Sequence, residues 1–201
     1  MGERESGRSE GRISDARTMR ALAHPARIEI VEHLSVTGEA VTATECAGMV
    51  GLSPSATSYH LRELAKYGLV EQAASRGDGR ERLWRSTNAS LWIEGDAEQP
   101  EALAAERALI DLYLNRDQDR LRAWVGRQSE EPQQWRDASA LMSQHLLVTA
   151  EELAELTKRV RALMEPYRLR ERQATAAAEA RQVFVQYAAF PRAQLAPEDV
   201  K

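Results

Sequence analysis

The sequence predicts a mostly α-helical fold with a small β component. Three observations support this prediction. Two helical patterns meet at a short turn that contains Gly51, two extended segments then flank a glycine-containing loop, and a long apolar helical repeat begins at Pro100. A chain of 201 residues has room for one compact domain with a smaller element attached to it.

The composition limits the classes of protein to which the chain can belong. Cys46 is the only cysteine, which excludes an intramolecular disulfide and fits a reducing compartment. No apolar run approaches the ~20 residues that a membrane helix needs, and the first residues lack the apolar segment of a signal peptide. We therefore expect a cytoplasmic protein that has no membrane partner.

Two helical patterns follow the N-terminal residues. Residues 1–13 have no apolar periodicity, so we expect a disordered tail there, and residues 193–201 are expected to form a flexible tail. Ser14 can cap a first helix, which the sequence His24-Pro25 interrupts. A second helix then buries the stripe of Ile28, Val31 and Leu34 and ends at Gly38.

The next two helices form a helix-turn-helix pattern. Thr42 or Thr44 can cap a third helix, which is expected to turn Cys46, Met49 and Val50 inward and to end at Gly51. Ser53-Pro54 then opens a fourth helix, with a capping residue followed by proline in the first turn. Its inward face carries Thr57, Leu61 and Leu64, and its outward face is predicted to carry Ser55, Ala56, Tyr59, His60 and Arg62.

A β-hairpin is predicted directly after the fourth helix, which Gly68 ends. Residues 69–75 and 80–87 have the composition of strands, and Arg76-Gly77-Asp78-Gly79 between them supplies the glycines that a tight loop needs. This hairpin is the wing of a winged helix-turn-helix domain. We assign residues 14–90 to that domain.

Three runs of residues carry a resemblance to a known family. They are ALAHPARI at 21–28, LSPSATSYHL at 52–61 and YGLV at 67–70. In their order and spacing they resemble the ArsR-type family of bacterial winged-helix repressors, over about residues 14–88. The resemblance implies a homodimer that binds an inverted repeat in double-stranded DNA, with the fourth helix in the major groove and the wing on the flanking backbone.

Side-chain chemistry divides the predicted DNA-binding residues into two groups. Ser55, Tyr59 and His60 suit contacts to base edges, because they offer hydrogen-bonding groups and an aromatic ring near the helix start. Phosphate contacts are predicted for Arg62, Arg76, Arg80 and Arg82, and for Ser53 at the helix N-terminus. Ala56 and Ser58 complete the predicted interface. The alternatives are that Tyr59 packs on the wing, that His60 bonds locally and that the arginines are merely solvated.

The net charge and the possible metal ligands are weaker evidence on function than these motifs. The net charge is −4, so binding to DNA would depend on a few well-placed positive groups and would fall steeply with salt. Members of the family that sense metals use clustered cysteines or histidine–carboxylate pairs. Here Cys46 stands alone and the four histidines, His24, His33, His60 and His145, are scattered. We expect no metal and no cofactor, and a buried position for Cys46.

The C-terminal half is predicted to hold a long helix and a small α+β element. Residues 97–128 form the helix, which is well placed to pack on its copy in a second subunit. Residues 132–192 form the small element, with strands at 139–148 and 181–190 on either side of a helix capped by Thr149 and Glu152. The runs LVTAEEL at 147–153 and AFP at 189–191 resemble the C-terminal part of actinobacterial ArsR-like regulators.

We therefore predict a sequence-specific DNA-binding transcriptional regulator, acting as a homodimeric repressor. One alternative is a winged helix that binds another protein and has lost DNA binding. The other is a sensor whose effector, a small molecule or a protein, binds a C-terminal pocket that can be lined by Trp124, Trp135, Tyr167 and Phe190. No nucleophile elbow, phosphate-binding loop or paired catalytic carboxylates are present in the sequence, so we do not expect an enzyme.

Overall fold

The computed structural model describes residues 11–74, 82–88, 91–96 and 98–192. The chain divides into two compact units, Met1–Arg127 and Gln128–Lys201. The elements of the first unit are, in chain order, β1 Gly11–Ile13, α1 Ala16–Leu22, α2 Pro25–Thr37, β2 Val41–Thr42, α3 Ala43–Val50, α4 Pro54–Lys66, β3 Val70–Ala73, β4 Leu83–Ser86, β5 Leu91–Ile93 and α5 Pro100–Arg127. The fold is mostly helical with a small sheet, as predicted.

Helices α1 and α2 begin at side-chain caps. The Asp15 carboxylate accepts a hydrogen bond from the Thr18 backbone N–H at 2.8 Å, so Asp15 is the cap of α1 and the prediction of Ser14 is wrong. His24 Nδ1 accepts from the Ala26 N–H at 3.2 Å, and Pro25 opens α2. The predicted stripe of α2 is confirmed, because the three apolar side chains Ile28, Val31 and Leu34 are buried in the core.

Helices α3 and α4 form the predicted helix-turn-helix. Thr42 caps α3 in a reciprocal arrangement with Glu45, whose carboxylate accepts from the Thr42 N–H at 2.6 Å. Gly51 ends α3 with a φ of 65°, a left-handed conformation that glycine adopts without strain. Cys46 points inward as predicted. The inward orientation predicted for Met49 is wrong: its side chain is 43% exposed, because it lies off the buried face that carries Cys46 and Ala47.

The wing strands are part of an antiparallel sheet in the order β2-β4-β3. The register pairs Val70 with Ser86 and Gln72 with Trp84, and Trp84 is buried. The predicted strands 69–75 and 80–87 are confirmed over Val70–Ala73 and Leu83–Ser86. The loop predicted at 76–79 lies outside the described residues.

A second pairing joins β1 to β5 in parallel, with Gly11 opposite Leu91 and Ile13 opposite Ile93. This corrects the prediction of a disordered tail over residues 1–13 for its last three members. Ile13 is buried in the core. The partner strand lies about 80 positions downstream, so no local pattern around residue 11 could reveal it. Residues 1–10 and the predicted tail at 193–201 are outside the described residues.

Helix α5 packs on α1 and completes the core of the first unit. Ala102, Ala105 and Leu109 are buried along one face. Beyond them, Arg116 and Arg120 form ion pairs with Glu29 and Glu32 of α2 at distances between 2.8 and 3.6 Å. The helix predicted over 97–128 thus lies at Pro100–Arg127.

The second unit contains α6 Gln133–Ala138, α7 Ala150–Met164 and α8 Leu169–Arg172. Thr149 caps α7 together with Glu152, as predicted. The strands predicted at 139–148 and 181–190 are wrong: within the described part of this unit no strand is assigned. Alternating apolar residues favour a strand, but a strand also requires a neighbour to pair with, and neither segment has a paired strand among the described residues. Across the described ranges, no helix is long and apolar enough to span a bilayer.

Candidate nucleic-acid interface

Helix α4 has one face in the core and one face in solvent. Thr57, Leu61 and Leu64 are fully buried, and this confirms the predicted inward face. Ser53, Ser55, Tyr59 and Arg62 are exposed, and Ala56 and Ser58 are half-buried beside them. Because Ser55, Tyr59 and Arg62 are spaced by four and three residues, they form one outward stripe of the helix.

The first turn of α4 is closed by hydroxyl groups. Ser53 Oγ accepts from the Ala56 N–H at 3.3 Å and lies 3.1 Å from Ser55 Oγ. Thr57 Oγ1 donates to the Ser53 carbonyl oxygen at 3.0 Å. The Ser53 side chain therefore acts as the helix cap, and the positive end of the helix dipole lies beside the exposed Ser55.

His60 does not lie on the outward face. It is only 8% exposed, so the prediction that it faces outward is wrong. Positions 57, 60, 61 and 64 follow the i, i+3, i+4, i+7 spacing of a single face, which places His60 on the buried side of the helix. The alternative that His60 makes a hydrogen bond within the protein agrees better with the structure, but the partner lies on another helix and is not local.

The partner of His60 is Arg27 of α2. Arg27 Nε donates to His60 Nδ1 at 3.3 Å, and Arg27 Nη1 donates to the Ala21 carbonyl oxygen at 2.6 Å. The His24 ring lies 4.5 Å from the His60 ring. Burial lowers the pKa of His60, and the neighbouring His24 and Arg27 lower it further. No local pattern indicates this contact, because Arg27 and His60 are 33 positions apart.

Tyr59 is the largest exposed side chain on the outward stripe. Its side chain is 51% exposed, and the ring meets the edge of His60 at a centroid distance of 5.6 Å. The buried His60 ring thus packs against the side of the Tyr59 ring that faces the protein. The alternative that Tyr59 packs on the wing has no contact in its favour among the described residues.

A cleft of about 250 Å³ brings together basic and hydroxyl groups from three elements. Ser58 and Arg62 lie on α4, and Arg82 directly precedes β4. Arg62 Nε donates to the Ser58 carbonyl oxygen at 3.1 Å, which orients its guanidinium. Four further residues line the cleft and were not among the predicted DNA-binding residues: Thr42, Ala43, Thr44 and Trp84.

Arg62 and Arg82 share this cleft with hydroxyl groups at the start of α3. Guanidinium and hydroxyl groups together suit an oxyanion such as a phosphate. Arg76 and Arg80, also predicted to contact phosphates, lie outside the described residues. Arg85 on β4 instead pairs with Glu71 at 2.6 Å, so its charge is offset by its neighbour.

Cys46 is the only residue of the sequence that could offer a thiolate to a metal ion. Cys46 is fully buried, and burial with the neighbouring Glu45 raises the pKa of its thiol to about 11. The prediction of a buried core cysteine is therefore confirmed. The residues described by the structure contain no group of three or more His, Cys, Asp or Glu side chains arranged to hold a metal ion.

Comparison with known proteins places the sequence of this chain in a family. Residues 22–73 match the helix-turn-helix domain family. A solved structure described as a possible transcriptional regulator for arsenical resistance is 33% identical, with 53% of this chain and 94% of that chain covered and a TM-score of 0.31. This identity extends over nearly the whole of that regulator. The chain belongs to the ArsR family of winged helix-turn-helix transcriptional regulators. Members of the ArsR family bind DNA, and this chain is a DNA-binding transcriptional regulator.

Two further structures resemble this ArsR-family chain at lower identity. NolR from Sinorhizobium fredii is 26% identical, with 49% of this chain and 82% of that chain covered and a TM-score of 0.31. A homodimeric winged helix-turn-helix DNA-binding domain from Mycobacterium bovis is 20% identical, with 52% and 79% covered and a TM-score of 0.33. No curated protein matches the chain.

Of the residues predicted to line an effector pocket in this ArsR-family chain, one lines a cavity of the second unit. Phe190 lines a cavity of about 510 Å³ beside α7, and none of the other three residues lines it. Trp135 lies under the Arg181 guanidinium at 4.9 Å, and Tyr167 under that of Arg172 at 5.2 Å. Trp124 is half-buried on α5.

Proposed function

We propose that the chain acts as a homodimeric repressor that binds an inverted repeat in double-stranded DNA. The observation that carries the proposal is the outward stripe of α4. Ser55, Tyr59 and Arg62 are exposed on the second helix of a helix-turn-helix, whose opposite face is locked into the core. The N-terminal half of such a helix fits the major groove of B-DNA.

The side chains of this surface divide into base-reading and phosphate-binding groups. Ser55 and Tyr59 combine hydroxyl groups with an apolar ring, which suits base edges and thymine methyl groups. Arg62 and Arg82 flank a cleft that also holds hydroxyl groups, which suits a phosphate. His60 supports Tyr59 from the protein side and is not proposed to touch a base.

The homodimer is supported by the outer face of α5. Ile110, Leu114 and Val125 are all exposed, and their spacing of four and eleven residues places them on one stripe of the helix. An exposed apolar stripe of this kind is typical of a helix that pairs with another helix. Two reading helices related by a twofold axis match the symmetry of an inverted repeat.

A dimer bound across a promoter would exclude the transcription machinery by occupying its site, so we infer repression. In this proposal the chain acts by binding and not by catalysis, in the cytoplasm, where the DNA of a bacterium lies. The competing function, protein binding without DNA binding, predicts no preference among DNA sequences.

The experiment selects genomic fragments that the purified protein binds and then measures affinity for the selected and for random DNA. We expect Tyr59→Ala to reduce the ratio of the two affinities by about 10- to 100-fold, since one good base contact is worth roughly 1–3 kcal/mol. Tyr67→Ala removes a similar exposed side chain at the far end of α4 and is expected to leave the ratio unchanged. Equal ratios for both variants, or no selected sequence, would contradict the proposal.

A further inference from the structure

The second unit exposes large apolar side chains that soluble proteins normally cover. Across the described residues, it contributes twelve of the twenty large apolar side chains that are exposed. They are Leu141, Met142, Leu146, Leu147, Val148, Leu163, Tyr167, Val183, Phe184, Val185, Tyr187 and Phe190. Exposed apolar surface on this scale marks a site where another surface binds.

This unit also lacks a core of its own. None of the described residues from 128 to 192 is buried, whereas the first unit has a continuous buried cluster. Apolar burial is the main favourable contribution to folding, so a unit without it cannot hold its structure alone. The surface that covers it must therefore be present whenever the chain is folded.

The backbone of two segments of this unit also needs hydrogen-bond partners. Residues 140–148 and 185–190 make no backbone hydrogen bond to another described residue. Both segments have the apolar composition of strands, and bare donors and acceptors on an extended segment are a template for pairing with another chain. The second segment runs beside α7, where Tyr187 Oη lies 3.4 Å from Thr157 Oγ1.

An open cavity between these parts has room for side chains from outside. Its volume is about 510 Å³, and its walls include Met164 of α7 and Val185, Tyr187 and Phe190 of the second segment. Because the cores of protein interfaces pack as closely as interiors, side chains of a bound partner would fill this open space.

The charges of the unit favour a second copy of the same chain over a partner of one sign. Residues 128–192 contain nine acidic and nine basic side chains, and neither 138–150 nor 182–191 contains any. Acidic residues occupy the first half of α7, at Glu151, Glu152 and Glu155, and basic residues occupy the second half, at Lys158, Arg159 and Arg161. A twofold axis across α7 would place each acidic half opposite the basic half of the other copy.

We propose that the second unit is an interface completed by a second copy of this chain, whose segments 140–148 and 185–190 pair with those of the first copy as strands. A copy of the chain is always available in equal amount, as an obligatory cover must be. This interface extends the homodimer of the proposed function, but it rests on the exposed surface of the second unit and does not depend on DNA binding.

The test uses the full-length chain and two measurements: sedimentation equilibrium for the oligomeric state and backbone hydrogen exchange for the two segments. We expect a dimer in which these amides exchange at least about 100-fold more slowly than in an unstructured chain. Leu147→Asp combined with Val185→Asp should raise the dimer dissociation constant at least about 100-fold and abolish the protection. Ala176→Asp combined with Ala178→Asp adds the same charge in an exposed part of the unit and should change neither.

Protection of α2 and α4 in the double variant shows that the first unit is still folded, so loss of the dimer is not general unfolding. A monomer whose segments are protected would overturn the proposal, because the chain would then cover them itself. A dimer or a monomer with unprotected segments would overturn it too, because the second copy would not be what covers them. DNA affinity is measured separately, so a failure here is distinguishable from a failure of the DNA-binding proposal.

Discussion

His60 connects the outward stripe of α4 with the core of the domain. Its ring lies between His24, Arg27 and Tyr59, and it accepts the Arg27 hydrogen bond on Nδ1. A protonated His60 could not accept that bond and would place a positive charge beside Arg27. This explains physically why burial and its neighbours lower the pKa of His60.

Stability is therefore expected to depend on pH through His60. Because its pKa is lower in the folded state, the unfolded chain takes up the proton first as the pH falls below about 6.5. The contribution of His60 to the free energy of unfolding is complete above that pH and declines below it, toward the folded pKa. Urea unfolding at pH 7.5 and 5.5 measures the decline, which should be smaller in His60→Gln.

His33→Gln is the matched control, because His33 lies on α2 outside the contacts of His60 described above. It should show the same decline as the unchanged chain. A His60→Gln variant whose stability falls with pH as steeply as that of the control would contradict the assigned role of the buried ring.

Residues of α4 and the residue before β4 line the same cleft, which we propose binds a phosphate. Arg62 and Arg82 are far apart in sequence, but both line the cleft with Thr44 and Ser58. Neither arginine is proposed to read a base. Their contribution to DNA binding should therefore be electrostatic and independent of sequence.

Arg62→Ala and Arg82→Ala are each expected to weaken binding to selected and to random DNA by the same factor. Each should also reduce the slope of log affinity against log salt by about one, because one phosphate contact is lost. Arg85→Ala is the control, since that guanidinium pairs with Glu71. Titrations at several salt concentrations would refute the assignment if Arg62→Ala changed sequence preference and left the slope unaltered.

Helix α5 is attached to α2 by a half-buried cluster of ion pairs. Arg120 Nη2 lies 2.9 Å from Glu32 and 3.1 Å from Glu29, and the guanidinium of Arg116 stacks 4.8 Å above the Tyr113 ring. Burial raises the pKa of Tyr113 to about 12, so its hydroxyl stays neutral. This cluster holds the second half of α5 against α2.

Removing one member of the cluster should destabilise the first unit. Arg120→Ala leaves two partly buried carboxylates without that cation, and we expect a loss of about 1–2 kcal/mol, between the values for exposed and for buried pairs. Arg122→Ala removes an exposed guanidinium that pairs only locally with Asp119, and its effect should stay within about 0.5 kcal/mol. Chemical denaturation compares them, and equal losses would show that the cluster contributes nothing specific.

At the scale of the whole molecule, the proposed dimer makes the spacing of the two half-sites a geometric property of the protein. Two reading helices held by one scaffold reach only half-sites on the same side of the duplex. When the second half-site is rotated to the other side of the duplex, the second reading helix cannot reach it and its contribution to the binding free energy is lost.

Inserting five base pairs between the half-sites of a selected sequence should therefore reduce affinity at least about 100-fold, because the second half-site moves to the opposite side of the duplex. DNA with a single half-site should bind as weakly as this spaced sequence. Fluorescence anisotropy with labelled duplexes measures both. If the spaced duplex bound as tightly as the original, the two reading helices would have to act independently.

Much of the first unit could be predicted from the sequence because its signals are local. The cap at Ser53, the left-handed Gly51 and the buried stripe of Thr57, Leu61 and Leu64 depend on residues within a turn or two of one another. The outward positions of Ser55 and Tyr59 follow from the same spacing. A resemblance in three short runs was then enough to indicate the family.

Tertiary structure decided what depends on segments distant in the chain. It turned His60 inward against Arg27, paired Gly11–Ile13 with Leu91–Ile93 and joined Arg62, Arg82 and Thr44 in one cleft. Among the described residues, it leaves the two strand-like segments of the second unit without a paired strand. Local periodicity specifies which face of an element is apolar, but only packing between separate elements specifies what that face meets.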